Sequence, residues 1–365
     1  MKILYDGGVY EMQATGGINR YFANLIKNLP SDCTPILTTC RSLTLTSPVH
    51  PNLKTYFYPR LGFRPGRISY WLEKYYFRLA NIFSSPHIIH PTYYRLLTRE
   101  EIKQGDRPLV LTVWDMIHEL FPEELDTHGY QAEAKRNAVF SAQAVICISE
   151  NTKKDLLERY PSLESKITVT PLASEIDITL SYGSEKVPEK PYYLYIGSRL
   201  SYKNFDTLLL AFKKVLSVHS DLMLCVVGSA FKDEEKKLIA ELGLTEHVDQ
   251  YNWTSDRHLA KLYRCSIGLV YPSLYEGFGI PPLEAMACGT VAITSNSSSL
   301  PEVVGDAGLL FDPKSINDLA DILIALIENP AERDTWIAKG FERAKAFNWS
   351  LTAAETVKIY RSLID

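Results

Sequence analysis

The sequence predicts an α/β protein made of two Rossmann-like domains in tandem. Short runs of β-branched and apolar residues alternate with amphipathic helical patterns, which is typical of parallel sheets covered by helices. The alternation breaks off at 173–190, where glycine and proline interrupt the chain, and then restarts. A length of 365 residues, 46% of them apolar, is enough for two separate cores.

The first domain is predicted at 1–172. Its strands are expected at 1–6, 34–39, 87–90, 108–114 and 144–149. After the first strand, an amphipathic helix is predicted because apolar residues recur at helical spacing, at Ile18, Phe22, Leu25, Ile26 and Leu29. Strand and helix alternate through this half, so we expect a doubly wound sheet.

The second domain is predicted at 191–347, after a linker at 173–190. Its strands are expected at 192–197, 222–228, 247–253, 267–272 and 290–295, with helices at 204–218, 234–242 and 256–264. From residue 316 onward the pattern is helical, with no strand between the helices. The last helix, at 348–365, is predicted to cross back and complete the first domain.

The composition indicates which partners the protein binds and in which cellular compartment it is expected. The 39 basic and 43 acidic residues give a net charge of −4, so no overall field favours nucleic acid. The six cysteines are scattered without C-x-x-C pairs and are expected to be reduced core thiols. No segment approaches the roughly 20 apolar residues of a spanning helix, nor is the amino terminus a signal peptide. We therefore expect a cytoplasmic protein.

The segment 271–295 carries the densest set of candidate site residues. It reads as a strand, a turn, a helix and a second strand. Gly277 and Gly279 let backbone amides approach an anion closely. A proline pair at 281–282 suits the first turn of a helix, whose positive amino terminus attracts phosphate.

Two carboxylates, Glu276 and Glu284, flank this turn. Glu276 is predicted to end its strand at the rim where open α/β sheets bind ligands, and Glu284 to lie one turn into the helix. Ionised carboxylates only accept hydrogen bonds, which suits the hydroxyl pairs of a ribose or a hexose. The alternative is a helix N-terminal charge with a surface glutamate.

The Glu276–Glu284 segment resembles the E-x7-E motif of retaining glycosyltransferases of family 4, and the likeness continues weakly over nearly the whole chain. It implies the GT-B architecture: two Rossmann-like domains facing a central cleft, with a helical C-terminal tail. It also implies that Glu276 contacts the donor sugar and that Glu284 binds the ribose. The further donor-binding residues that it implies are Gly277, Phe278, Gly279 and Ile280.

Arg199 and Lys203 form a second cluster, after the strand that ends at Gly197. Their spacing allows both cations to converge at the rim of the sheet. There they would stabilise the charge that develops on a departing diphosphate. The alternative is a solvated helix start, although cations are unfavourable there without an anionic partner. The family resemblance implies that both residues bind the donor diphosphate.

Gly16 and Gly17 form a third, weaker cluster, directly before the first long helix. Such a loop can present amides to a phosphate or an acceptor. The resemblance implies that it reaches the donor diphosphate, with Gly17 the stronger candidate, and a tight turn is the alternative. Arg20, in the first helical turn, is predicted to meet an anionic acceptor or solvent.

Asp115 and His118 form a fourth cluster, in a predicted loop after the strand that ends at Trp114. Family members often have histidine where this chain has Trp114, so the chain departs from the pattern there. His118 is a candidate for contact with the transferred sugar, and Asp115 for binding the acceptor hydroxyl. A structural histidine is the alternative.

The chemistry expected is metal-independent, because no D-x-D sequence occurs. No cofactor is expected, since the nucleotide sugar is a co-substrate; UDP-glucose is the first expectation for it and GDP-mannose the second. A saccharide or lipid-linked acceptor is expected, and the resemblance implies retention of anomeric configuration. Two alternatives stay open: a nucleotide-sugar epimerase and a non-catalytic nucleotide-sugar binder. No G-x-G-x-x-G follows a strand, which disfavours an NAD dehydrogenase.

The segment 60–83 predicts an amphipathic helix in a basic region. Between Lys54 and Arg107 there are ten basic and four acidic residues. The apolar residues at helical spacing are Ile68, Trp71, Leu72, Tyr75, Tyr76, Leu79 and Ile82. Such a helix packs on the first sheet, or it lies on a membrane surface and meets a lipid-diphosphate acceptor.

Overall fold

The chain folds into two compact units. The computed structural model describes residues 1–13, 16–42, 47–60, 66–252 and 254–364. The first unit comprises Met1–Leu172 and Trp349–Asp365, and the second comprises Ala173–Asn348. Each unit is built around parallel strands with helices between them, so the predicted α/β class is confirmed.

The described residues of the first unit form seven parallel strands. They are β1 Lys2–Asp6, β2 Thr34–Thr39, β3 Lys54–Phe57, β4 Ile88–Pro91, β5 Val110–Val113, β6 Ala144–Cys147 and β7 Ile167–Val169. Their order is β3-β2-β1-β4 and β5-β6-β7, and a parallel bridge between Ile89 and Leu109 joins the two sets. The direction of winding therefore reverses between β1 and β4, where open sheets form a ligand crevice.

In the part of this unit that the structure describes, seven α-helices lie between the strands. They are α1 Gly8–Met12, α2 Gly17–Lys27, α3 Gly66–Ser84, α4 Ile117–Leu120, α5 Pro122–Leu125, α6 Tyr130–Ser141 and α7 Glu150–Arg159. The predicted apolar stripe of α2 packs inward, since Phe22, Leu25 and Ile26 are fully buried. In the predicted 60–83 segment, residues 61–65 lie outside the described residues.

The second unit repeats the same winding. Its strands are β8 Tyr192–Ile196, β9 Met223–Val227, β10 Val248–Tyr251, β11 Gly268–Tyr271, β12 Val291–Ser295 and β13 Leu309–Phe311, in the order β10-β9-β8-β11-β12-β13. Its helices are α8 Phe205–Leu216, α9 Asp233–Glu241, α10 Asp256–Cys265, α11 Ile280–Ala287, α12 Leu300–Val304, α13 Ile316–Glu328 and α14 Pro330–Ala344. Here the reversal falls between β8 and β11.

The last helix, α15 (Trp349–Ser362), belongs to the first unit. Its Tyr360 hydroxyl lies 2.6 Å from His90 Nδ1 and 3.2 Å from the Tyr5 hydroxyl, and His90 Nε2 lies 2.9 Å from Thr112 Oγ1. Burial lowers the pKa of His90 to about 3, so this histidine is neutral at physiological pH. A buried polar network therefore anchors α15 to the sheet.

Several local features differ from the sequence expectations. Strands β3, β7 and β13 were not expected, because each has only three or four residues and β3 is a mostly exposed edge strand. The segment predicted as a linker packs into the second unit, where Ile176 is buried and a 3-10 turn forms at Ile178–Ser181. Cys265 is exposed, so the prediction of a core thiol is wrong there; the other five cysteines are buried.

Candidate functional site

Lys203 and Glu276 meet at the winding reversal of the second unit. Lys203 closes a 3-10 turn after β8, and Glu276 lies in the turn after the neighbouring strand β11. The Lys203 Nζ atom is 2.6 Å from Glu276 Oε1, and each side chain is 12% exposed. Because β11 ends at Tyr271, the prediction that Glu276 ends its strand is wrong. The turn after β11 is therefore longer than predicted, and it places the Glu276 carboxylate beside Lys203 in the loop after β8.

Hydrogen bonds fix the turn that carries Glu276. Its N–H donates to Ser298 Oγ over 2.9 Å, and Ser299 Oγ lies 2.9 Å from the Glu276 carbonyl oxygen. Ser298 has φ 50°, a left-handed conformation that is uncommon for serine. Gly279 has φ 122°, and a Cβ there would lie 2.8 Å from a methyl carbon of Leu300. The turn therefore requires glycine at 279 and holds its amides in place.

The helix after this turn begins as predicted, with prolines in its first turn. Glu284 lies on it and is only 8% exposed. Its Oε2 accepts a hydrogen bond from the Tyr263 hydroxyl over 2.8 Å. Burial and the charge of Glu284 raise the pKa of Tyr263, which therefore stays protonated as the donor. Glu284 is therefore not a surface residue.

Arg199 is held almost out of solvent, with 4% of its side chain exposed. Its Nε and Nη2 atoms form a fork to Glu235, at 2.7 and 3.1 Å from the two carboxylate oxygens. The guanidinium also lies 4.7 Å from the ring centre of Phe231. Its Nη1 is buried and has no hydrogen-bond partner among the described residues. Because an unsatisfied buried donor is costly, Nη1 is a candidate donor to a ligand.

Gly16 and Gly17 form the amino end of α2 in the first unit, where Gly16 is the N-cap. A Cβ at Gly17 would meet nothing within 4 Å, so space beside this backbone is open. Arg20 follows in the first turn, as expected.

Asp115 and His118 lie beyond β5, which ends at Val113. His118 and Glu119 are on the one-turn helix α4, so the prediction of a loop is wrong. Trp114 is buried beside Tyr21, with ring centres 4.8 Å apart in an edge-to-face arrangement. An aromatic core residue therefore occupies the position where family members often have histidine.

Lys135 on α6 organises this cluster and was not expected from the sequence. It is fully buried, and its Nζ donates to Glu119 Oε2 over 2.7 Å and to the Asp115 carbonyl over 2.8 Å. Burial and the charge of Lys135 lower the pKa of His118, whose Nδ1 is buried without a hydrogen-bond partner among the described residues. His118 is therefore a neutral imidazole at physiological pH.

Asp6 ends β1 beside this region and accepts the Leu97 N–H over 2.5 Å. Burial raises its pKa to about 7. The native state thus holds a proton that the unfolded state releases near pH 4, so the free energy of unfolding falls as pH rises from about 4 to 7.

Asp6→Asn removes this titrating group. We expect the free energy of unfolding of Asp6→Asn, measured in urea, to rise relative to that of wild type by about 1–3 kcal/mol as pH increases from 5 to 8. The exposed Asp106→Asn is the control, and parallel curves for Asp6→Asn and wild type would contradict the assignment.

The candidate residues divide between the units. Arg199, Lys203, Glu276, Gly277, Phe278, Gly279, Ile280 and Glu284 lie in the second unit, and Gly16, Gly17, Asp115 and His118 in the first. Direct contact joins Lys203 to Glu276, whereas Arg199 and Glu284 have partners that sequence reasoning missed, Glu235 and Tyr263. Within the described ranges, no group of three or more His, Cys, Asp or Glu side chains is placed to hold a metal ion.

Two family models match the chain. The model for "Glycosyltransferase Family 4" matches residues 15–175, and the model for "Glycosyl transferases group 1" matches residues 180–343. Among proteins of known sequence, the chain is 30% identical over 250 residues to O-antigen chain mannosyltransferase B of Escherichia coli. That match covers 65% of each chain, so this chain spans less than two thirds of the relative's length.

Solved structures confirm the predicted fold class. Sucrose-phosphate synthase from Thermosynechococcus elongatus is 22% identical, with a TM-score of 0.77 over 99% of this chain and 98% of that one. HepE of Anabaena, solved with UDP and glucose, is 18% identical, with a TM-score of 0.72 over 100% of both chains. At these identities the likeness shows the GT-B fold.

Proposed function

Because the chain belongs to glycosyltransferase family 4, we propose that it transfers a hexose from a nucleotide diphosphate sugar to a saccharide or lipid-linked acceptor. The observation that carries this proposal is the Lys203–Glu276 pair at the winding reversal of the second unit. A cation and a carboxylate held there supply both groups that a sugar diphosphate needs: one for the phosphate and one for the hydroxyls.

The proposed donor contacts follow from the groups available in the second unit. Glu276 accepts hydrogen bonds from hydroxyls of the sugar, and Glu284 accepts them from the ribose. The Nη1 of Arg199 and the Nζ of Lys203 bind the diphosphate. The backbone amides at 277–280, at the positive end of α11, add to this anion site.

The proposed reaction retains the anomeric configuration and uses no metal ion. The bond from the anomeric carbon to the phosphate oxygen breaks, and a bond to the acceptor oxygen forms on the same face. The acceptor proton passes to the departing phosphate. Arg199 and Lys203 stabilise the charge that develops there, in the role that a cation on a D-x-D pair would fill. Asp115 and His118 are the proposed contacts for the acceptor hydroxyl and the sugar.

Two donors are proposed for testing. The sequence motif favours UDP-glucose first, and the structural likeness to HepE with UDP and glucose supports that choice. The relative with 30% identity is named a mannosyltransferase, which supports GDP-mannose.

A thermal-shift screen over UDP, GDP and their sugars tests the proposed function. A ligand at 100 times its Kd adds about 2.7 kcal/mol to the apparent stability of the native state. We expect one nucleotide family to raise Tm in wild type and to do so less in Lys203→Ala. No shift with any nucleoside diphosphate or its sugar would contradict the proposal. Consumption of the donor without acceptor and without nucleotide release would instead indicate the epimerase.

Peripheral contact with a membrane is also proposed, on the basis of α3. In the described ranges no helix combines the length and apolar character needed to cross a bilayer. Instead, α3 turns apolar side chains outward: Trp71 is 63% exposed and Ile82 is 64% exposed. Its other side is fixed to the unit by Glu73, whose carboxylate lies 2.8 Å from Arg60. Of the predicted stripe, Ile68, Trp71, Tyr75 and Ile82 are therefore on the outer face, as interfacial helices require. Leu72, Tyr76 and Leu79 are partly buried, and Tyr76 packs against Tyr58.

The double substitution Trp71→Ala and Tyr75→Ala is expected to weaken binding to anionic liposomes about tenfold at low salt, because two exposed rings no longer enter the interface. These rings stack with their centres 5.6 Å apart. Co-sedimentation measures the effect, and Tyr130→Ala, on α6 and equally accessible, is the control. If wild type does not sediment with such liposomes, or if the double variant sediments like wild type, the membrane contact is excluded.

A further inference from the structure

A cavity of about 340 Å³ lies in the first unit, beyond the carboxyl ends of β1 and β4. Its lining includes Gly8 after β1, and Tyr93, Arg95 and Arg99 after β4. Because the winding of this sheet reverses between β1 and β4, the cavity occupies the position where an open sheet binds its ligand.

Two arginines give this cavity an uncompensated positive charge. The side chains of Arg95 and Arg99 are exposed, and neither guanidinium group makes a hydrogen bond or an ion pair with the described residues. A third arginine in the lining, Arg60, is already engaged by Glu11 and by Glu73. Glu11 is the one carboxylate in the described lining, and Arg60 is shared between it and Glu73, so one cation faces two carboxylates. Arg95 and Arg99 add two cations, and these five side chains together carry a net charge of +1.

A tight turn presents both arginines. The Leu96 N–H donates to the Glu100 carbonyl over 3.1 Å, and the Arg99 N–H donates to the Leu96 carbonyl over 2.7 Å. Arg99 has φ 62°, a conformation that few non-glycine residues adopt. The turn is tied to α3 by an ion pair of 2.9 Å between Lys74 and Glu100. It is thus held in place before any ligand arrives.

The other side of the cavity adjoins the Asp115 and His118 cluster. Gln131, in the cavity lining, donates its backbone N–H to Asp126 Oδ2 over 2.9 Å. Tyr93, also in the lining, has its ring centre 4.7 Å from that of Tyr94, and the Tyr94 hydroxyl accepts the N–H of Trp114, the residue before Asp115, over 3.1 Å. Burial and the charge of Asp115 raise the pKa of Tyr93. The arginine-lined cavity therefore adjoins the residues proposed to contact the acceptor hydroxyl.

We propose that this cavity binds a phosphate group of the acceptor through Arg95 and Arg99. Guanidinium groups match the geometry of phosphate oxygens and form paired charge-assisted hydrogen bonds with them. The acceptor is then a phosphorylated saccharide or a saccharide on a lipid phosphate. That the bound molecule is the acceptor rests on the proposed transferase function. That the cavity binds phosphate does not.

The test compares the double variant Arg95→Ala/Arg99→Ala with Arg136→Ala, which removes an exposed arginine of α6 outside the cavity. Glycerol 1-phosphate is titrated calorimetrically into each, and glycerol is the uncharged control. We expect the double variant to bind the phosphate at least roughly tenfold more weakly than Arg136→Ala. Because the proposed donor site is the same in the double variant and in Arg136→Ala, phosphate that binds at the donor site does not contribute to the difference in affinity between them. Equal affinity in the two variants would overturn the phosphate site.

Two further arms locate the source of the phosphate and separate this site from the proposed function. Tighter binding to vesicles with phosphatidic acid than to glycerol 1-phosphate, lost in the double variant, supports a lipid-linked acceptor; the reverse preference supports a soluble one. Nucleotide-dependent thermal shifts should be unchanged in the double variant. If nucleotides stabilise wild type but the double variant binds phosphate normally, the inference fails while the transferase proposal stands.

Discussion

Glu276→Ala is expected to lower the rate of hexose transfer about 10²- to 10³-fold, the usual cost of removing one positioned polar group from a preorganised active site. The Glu276 carboxylate is held 2.6 Å from Lys203, and its backbone N–H is bound by Ser298. Glu276 is the one carboxylate in the sequence from Pro272 to Gly279. Nucleotide release at saturating donor and acceptor measures the rate.

Lys203→Ala and the double variant complete a thermodynamic cycle. Because the two side chains contact each other, their effects are expected to be less than additive. Glu234→Ala, which removes an exposed carboxylate of α9, should leave the rate unchanged. Full activity in Glu276→Ala, with a normal unfolding curve, would remove Glu276 from the site.

Arg199→Lys is expected to cost about 10²-fold in kcat/KM and at least tenfold in affinity for the nucleoside diphosphate. Lysine keeps the charge but loses the fork to Glu235 and the free Nη1. Calorimetric titration of the nucleoside diphosphate measures the affinity. Arg257→Lys, on the exposed side of α10, is the matched control.

Glu235→Gln separates positioning from binding. It retains a side chain that can hydrogen-bond to Arg199 but removes the charge that orients the guanidinium. We expect a smaller loss of affinity than in Arg199→Lys. If Arg199→Lys binds the nucleoside diphosphate as wild type does, Arg199 only supports the fold and the account of the diphosphate site is wrong.

The fold class and the donor-side loops could be predicted because their determinants are local. Alternation of strands and helices, the glycines around Phe278 and the proline pair act within a few residues of chain. The buried side of helix α2 was likewise predicted from the helical spacing of its apolar residues. The motif thus located the Glu276 turn without any knowledge of the partner loop.

The partners of the site residues could not be predicted, because they are distant in sequence. Glu235, Tyr263 and Lys135 are ordinary members of helical patterns, and only the fold brings them to Arg199, Glu284 and Glu119. Spacing likewise identified the stripe of α3 but not which side of the helix faces solvent. A lysine as buried as Lys135 has no local signature, since burial depends on the sheet and the neighbouring helices.

A transfer assay tests whether this chain is a metal-independent glycosyltransferase. It measures the release of nucleoside diphosphate from UDP-glucose and from GDP-mannose, with a panel of phosphorylated and neutral saccharide acceptors, in the presence of EDTA. We expect release from one donor in proportion to acceptor, retained with the chelator and lost in Glu276→Ala. Intact donor with every acceptor, or release that requires a divalent cation, would contradict this expectation.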